Sequence, residues 1–199
     1  ASLVGSEMCI RDRETEALDL VEEIPDSFPE NFADHQKLKI ILADGNKWRG
    51  NRLGEFPEIF CQLTQLEYVD LGINSIKELP ECIGRLQQLS TLRLAHNDLK
   101  AFPEHFFELK NLKVLDLYLN QSLRLPEHFH HLESLEELNL RDVHVGTLPD
   151  SFGYFPNLRS LSLWSCQLTD LPPSFSNLRT LEELFLVDNE LSALPEDIG

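Results

Sequence analysis

Seven prolines, Pro57, Pro80, Pro103, Pro126, Pro149, Pro172 and Pro195, each stand 23 residues from the next. A fixed period of that length restricts a chain to an architecture made by repeating one small unit. Leu66, Leu89, Leu112, Leu135, Leu158 and Leu181 keep the same period. From each of these leucines runs a short pattern, L-x-x-L-x-L-x-x-N. Two full copies are Leu89, Leu92, Leu94, Asn97 and Leu112, Leu115, Leu117, Asn120. Further copies read Leu66, Val69, Leu71, Asn74, then Leu181, Leu184, Leu186, Asn189, and earliest Leu38, Ile41, Ala43, Asn46. Two copies depart at the last position: Leu135, Leu138, Leu140 end in Val143, and Leu158, Leu161, Leu163 end in Cys166. The 38 leucines, against 16 Val plus Ile, fit one packing unit used again and again.

The L-x-L part alternates as a strand does, with leucines pointing into a core and the intervening residues pointing out. Successive copies then pair as parallel strands ~4.8 Å apart. Three residues after each proline comes an apolar residue: Phe32, Phe60, Ile83, Phe106, Phe129, Phe152, Phe175 and Ile198. These predict a spine stacked behind the sheet. The asparagines predict a ladder, in which side-chain amides satisfy backbone groups of adjacent turns. Val143 cannot hydrogen-bond, so the ladder is expected to be weakest at the fifth and sixth copies. Asn120-Gln121-Ser122 also matches a glycosylation sequon, but Asn120 holds a ladder position and is read as facing inward. Each turn buries its apolar side only against its neighbours, so stability is a nearest-neighbour sum. A Leu→Ala change in the L-x-L columns is expected to cost ~2–5 kcal/mol.

This pattern resembles the leucine-rich repeat family over about residues 29–199, in the 23-residue form of the intracellular Ras-group and bacterial repeats. The resemblance implies an α/β solenoid. It would be a horseshoe with a concave parallel β-sheet of about seven strands and short helical or irregular convex segments. It further implies a non-catalytic module that binds a partner protein on the concave face, in intracellular signalling or scaffolding. The partners implied are signalling proteins, small GTPases among them. Two other readings stay open. One is the recognition arm of a larger signalling enzyme, such as a kinase, a GTPase-containing protein or a ubiquitin ligase. The other is an extracellular recognition protein.

Outside the repeats, residues 1–13 fit no pattern and are read as a non-native or disordered leader. Residues 14–36 read as an N-terminal capping helix and turn. Ala17, Leu18, Val21 and Ile24 stand at helical spacing, and Pro25 and Pro29 end the helix. Glu14 to His35 carries eight acidic residues and no Lys or Arg, a solvated face. Residues 37–199 are the repeat domain. It ends in mid-repeat, so a fragment truncated at the C-terminus is expected. The first repeat spans 28 residues between Pro29 and Pro57, and its insert holds Lys47-Trp48-Arg49-Gly50-Asn51-Arg52. That basic, aromatic cluster reads as a solvated loop with Trp48 on the sheet rim; the alternative is a grip on an acidic partner or a phosphate.

With 17 Lys+Arg against 34 Asp+Glu, the formal net charge is -17. Such a surface repels nucleic-acid phosphates. No run approaches the ~18 apolar residues of a membrane span. Cys9, Cys61, Cys82 and Cys166 form no close pair in sequence, and Cys61 and Cys82 read as packing residues. A reducing, cytoplasmic setting and a monomer are therefore expected. There is no GxxxxGK, GxSxG or HExxH. Neither catalysis nor a cofactor is expected. His105, His128 and His131 share convex phases that suit a metal, but without carboxylate support they read as surface histidines.

The informative surface is the concave one. The residues between the second and third strand leucines are Leu42, Asp70, Arg93, Asp116, Asn139, Ser162 and Phe185. The column after the third leucine reads Asp44, Gly72, Ala95, Tyr118, Arg141, Trp164, Val187. Tyr118, Arg141 and Trp164 should span ~10 Å on three strands, and they are the types enriched at binding hot spots. Arg141 is placed to stack on both rings. Phe185 extends this apolar patch, and Tyr68 lies in the column before. Asp70, Arg93 and Asp116 alternate in sign as a charge ladder. The candidate partner-binding residues are Tyr118, Arg141, Trp164, Phe185, Tyr68 and Arg93.

Overall fold

The computed structural model describes residues 16–21, 25, 27–45 and 53–194. These residues build one parallel sheet of eight strands in chain order. The strands are β1 (Ala17–Asp19), β2 (Ile40–Leu42), β3 (Tyr68–Asp70), β4 (Thr91–Arg93), β5 (Val114–Asp116), β6 (Glu137–Asn139), β7 (Ser160–Ser162) and β8 (Glu183–Phe185). Among the described residues the strands β1 to β7 each lead to a five-residue 3-10 helix: Glu30–Asp34, Glu58–Gln62, Glu81–Arg85, Glu104–Glu108, Glu127–His131, Asp150–Tyr154 and Pro173–Asn177. A strand and the helix after it make one coil, numbered by its strand.

Local chemistry sets both parts of a coil. The periodic proline stands at the helix N-cap, with φ of -74° at Pro80 and -69° at Pro103, the value its ring favours. A following leucine closes the helix by donating its N–H to the spine residue, as Leu86 does to Ile83. Runs of 3-10 geometry stay this short because their hydrogen bonds are poorly aligned. The strands pair in register, so Val69, Leu92, Leu115, Leu138 and Leu161 form one buried row. Phe32, Phe60, Ile83, Phe106, Phe129, Phe152 and Phe175 are each 2% exposed or less. They are the expected spine. Ile198, Asn46, the 47–52 cluster and residues 1–13 lie outside the described residues.

The N-terminal expectation is corrected. Where a capping helix and turn were read over 14–36, Ala17–Asp19 is a strand paired with β2, and the sheet of the described residues has eight strands where about seven were expected. Leu18 and Leu20 are buried, each 1% exposed, as the L-x-L leucines of the other coils are.

Every coil from β3 onward leaves its strand through a left-handed residue. Ile73, His96, Leu119, Asp142, Ser165 and Asp188 have φ between 54° and 60°. That conformation is unfavourable for most side chains, and most of all for a β-branched one such as Ile73. It is held by the next coil: Ile73 N–H donates to Ala95 O at 2.9 Å, Leu119 to Arg141 O at 2.9 Å, and Asp142 to Trp164 O at 2.9 Å.

Behind the bend the ladder asparagine reaches back to the preceding coil and to its own. Asn97 Nδ2 donates to Leu71 O at 2.8 Å in the preceding coil and to Leu94 O at 2.9 Å in its own. Its Oδ1 accepts the N–H groups of Asn74 and Ile76, at 3.2 and 2.9 Å. Asn189 repeats this set against Leu163, Leu186, Cys166 and Leu168. Cys166 keeps one part of it, donating Sγ–H to Leu140 O at 3.0 Å. The ladder is interrupted at Val143. There Asn120 N–H turns back onto Leu117 O at 3.2 Å, where its counterpart Asn74 finds a side-chain amide one coil on.

Cys61 and Cys82 are joined by a disulfide, with Cα atoms 5.7 Å apart. They are thus a covalent staple between coils two and three, not independent packing residues. The separation lies well inside the range such bonds span.

Two measurements check these assignments. Asn97→Ala should destabilise the fold by more than ~3 kcal/mol in urea unfolding, because three backbone groups of coil three lose partners at ~1–3 kcal/mol each. Replacing both Cys61 and Cys82 by Ser should lower unfolding free energy by about 2–4 kcal/mol, and adding a reductant should then change nothing further.

Candidate functional site

The sheet face opposite the spine carries the side chains between the core leucines. Its acidic column first serves its own backbone. Asp19, Asp70, Asp116 and Asn139 accept the N–H two residues on, at 3.0–3.1 Å, from Val21, Gly72, Tyr118 and Arg141. These short loops satisfy donors at the strand ends and fix where the next column projects. The column of polar groups is the footing of the aromatic one.

On that footing stand Tyr118, Arg141 and Trp164. The Arg141 guanidinium carbon lies 4.3 Å from the Trp164 ring centroid and 5.4 Å from that of Tyr118. Arg141 Nε also faces Asp142 at 3.4 Å. Trp164 Nε1–H donates to Asp188 at 2.8 Å, and the His96 ring meets Tyr118 edge-on at 4.8 Å. The stack is therefore buttressed by His96, Asp142 and Asp188, whose roles were not read from the sequence. All three are left-handed residues, and their side chains turn toward the column beside them. Beyond Trp164, Phe185 and Val187 are 44% and 49% exposed. A hollow of about 400 Å³ opens among Arg93, Asp116, Asn139, Arg141, Trp164 and Phe185.

Of the six candidate residues, Arg141, Trp164, Phe185 and Arg93 line this hollow, and Tyr118 supports it from beneath Arg141. Tyr68 stands apart, with the Arg93 guanidinium 5.6 Å over its ring. The charge ladder forms on one side only. Arg93 approaches Asp70 at 4.0 Å, whereas Asp116 accepts from the Asn139 amide at 2.9 Å. Burial pushes the Asp70 carboxyl up, opposed by the Gly72 N–H and by Arg93. Burial, and then the charge of Asp70, push Asp44 up as well. Tyr68 is raised by burial against the pull of Arg93.

The histidines of the opposite surface are engaged locally. His105 Nδ1 is 2.8 Å from Glu81, a contact that raises the imidazole and lowers the carboxyl. The His128 ring stands edge-on to Phe107 at 4.4 Å. Among the described residues no three His, Cys, Asp or Glu side chains are grouped to hold a metal. Burial drives the Cys166 thiol to about 12. No helix of the described residues is long and apolar enough to cross a membrane.

Two family models match the chain. A leucine-rich repeat region covers residues 57–151, and a two-copy leucine-rich repeat covers 156–196. Solved structures match as well. A leucine-rich repeat protein of Leptospira interrogans is 25% identical, with a TM-score of 0.64, over 93% of this chain and 58% of that one. An internalin of Listeria monocytogenes is 19% identical, with a TM-score of 0.70, over 87% of this chain and 48% of that one. A plant peptide hormone receptor in complex with RGF2 is 23% identical, with a TM-score of 0.68, over 90% and 33%. The chain thus spans 58% or less of the length of these structures. No curated protein matches it.

The crowding of Asp44 and Asp70 has a pH signature. A carboxyl whose folded-state pKa is raised destabilises the fold when ionised, and the penalty disappears as protons return. Asp44→Asn should therefore raise unfolding free energy at neutral pH. The gain should shrink as the pH falls through the raised value, and vanish below the ordinary aspartate value of 3.8. Thermal unfolding of both proteins across pH 3 to 7 checks this.

Proposed function

The chain belongs to the leucine-rich repeat family, and from that premise we propose that it is a non-catalytic module binding a partner protein on the open face of its sheet. The observation that carries this reading is the Arg141 guanidinium held between Trp164 and Tyr118 beside a hollow with an exposed apolar edge. Arg, Trp and Tyr dominate the energetics of protein interfaces. Exposed apolar area next to them is the other mark of such a surface. Side chains already stacked and hydrogen-bonded lose little freedom on binding, so more of the contact energy appears as affinity. The partners suggested by the repeat form are signalling proteins, small GTPases included, in a scaffolding or signalling role.

A second reading, extracellular recognition, is favoured by the Cys61–Cys82 disulfide. Such bonds persist in oxidising compartments and are rare in the cytosol. It uses the same face and changes only the partner and the place. The cytoplasmic expectation rested on cysteines that do not pair, and these two do.

Photo-crosslinking through an analogue placed at Val187 would identify the partner. Titration would then give affinities for Tyr118→Ala, Arg141→Ala, Trp164→Ala and Phe185→Ala. Each should weaken binding by more than ~1 kcal/mol, with Trp164→Ala the most damaging. A Trp164→Ala protein that keeps its circular dichroism and its full affinity would be incompatible with the assignment.

A further inference from the structure

In coils three and six the fourth residue after the proline is a glycine on which the next coil closes. A Cβ on Gly84 would collide with the carbonyl of His105, and one on Gly153 with that of Ser174. In coil four that position is Phe107. Its buried ring lies 5.6 Å from Phe106 and 6.1 Å from Phe129, filling the place that coils three and six leave empty with glycine. The helices Glu104–Glu108 and Glu127–His131 are held apart, and a cleft of about 830 Å³ opens between them. Coil five enlarges it from the other side. Asn120 is three residues before its next core leucine, Leu123, where Asn97 is two before Leu99. The shift leaves Arg124 and Leu125 on the cleft wall.

The two walls differ in charge. Coil four supplies Glu104, Glu108 and Lys110, and coil five supplies Arg124, His128 and His131. Among the described residues neither Glu104 nor Arg124 makes an ion pair. Lys110 ties one end shut, with Nζ 3.2 Å from His131 O and 3.7 Å from the Glu133 carboxylate. The space between is lined by Phe102, Phe107 and Leu125. Its volume falls within the roughly 300–1,000 Å³ of small-molecule sites.

We propose that this cleft binds a free α-amino acid with a large apolar side chain. The ammonium group faces Glu104 and Glu108, the carboxylate faces Arg124, and the side chain lies on Phe102, Phe107 and Leu125. A ligand with one charge satisfies one wall and leaves the other unmatched; a ligand without an apolar part leaves the aromatic surface wet. The site is on the opposite side of the sheet from the partner-binding patch, so it stands or falls separately.

The probe is L-phenylalanine, titrated onto the full chain and followed by saturation-transfer NMR. Saturable binding is expected, weakened about tenfold or more by Arg124→Gln and by Glu104→Gln, since each removes a charged contact. Both side chains are exposed, and circular dichroism should show the fold retained. Phenethylamine, 3-phenylpropionate and glycine should each bind about tenfold more weakly or worse, for the same loss of one contact. No saturable binding of L-phenylalanine would overturn the proposal. So would equal binding of 3-phenylpropionate or phenethylamine, or affinity unmoved by both substitutions. Trp164→Ala should leave this binding unchanged, and a loss there would also count against a separate site.

Discussion

The bend behind each strand is a conformation no coil can hold alone. A left-handed residue costs an L-amino acid about 1–2 kcal/mol, and here one recurs in six successive coils from Ile73 to Asp188. What compensates is a hydrogen bond forward from that residue's N–H in coils three to seven, and in coils three, four, five and eight an amide reaching back from the asparagine beside it. Both partners belong to neighbouring coils. The same contacts that make the bend tolerable therefore set the register of the stack. The placement of the core leucines and of the proline-started helices follows from that register.

Much of this was legible because its period is rigid. The strand leucines, the phenylalanine spine and the grouping of Tyr118, Arg141 and Trp164 need only the register to be right. What escaped depended on finer physics. Ala17, Leu18, Val21 and Ile24 satisfy a helical spacing, while Leu18 and Leu20 satisfy a strand alternation, and a segment so short does not decide between them. Pairing with β2 decides it. Cys61 and Cys82 are 21 residues apart, so one coil's advance brings them near; whether they touch depends on the lateral gap between two helices, which no pattern states. The cleft depends on the volume of Phe107, at a position the repeat motif leaves unspecified, and on the one-residue shift between Asn120 and Leu123. The supporting parts of His96, Asp142 and Asp188 depend on a left-handed backbone, which the repeat pattern does not state.

Charge on the open face is organised rather than simply abundant. Arg141 is shared among two rings and Asp142, and Arg93 lies between Asp70 and Tyr68. Exposed pairs of this kind add little stability, on the order of 0–1 kcal/mol. Their larger effect is geometric, since they set both guanidinium groups on the sheet before any partner arrives. The exposed pairs Lys113–Glu136 and Arg159–Glu182 along the sheet's rim join adjacent coils in the same manner. With a net charge of -17, the long-range field still favours a cationic approach.

The interruption at Val143 gives the stack a seam. Among the described residues no ladder amide joins coil six back to coil five, coil seven's ladder position reaches coil six only through the Cys166 thiol, and one coil before the seam the spine passes through Phe102 and Phe107 to reach Phe129. In a solenoid, where cohesion is local, such a place divides the molecule into two cooperative blocks that open with different free energies. Tyr118 belongs to one block, Arg141 and Trp164 to the other. A protein seated across them would act as a clasp, suppressing separation of the blocks.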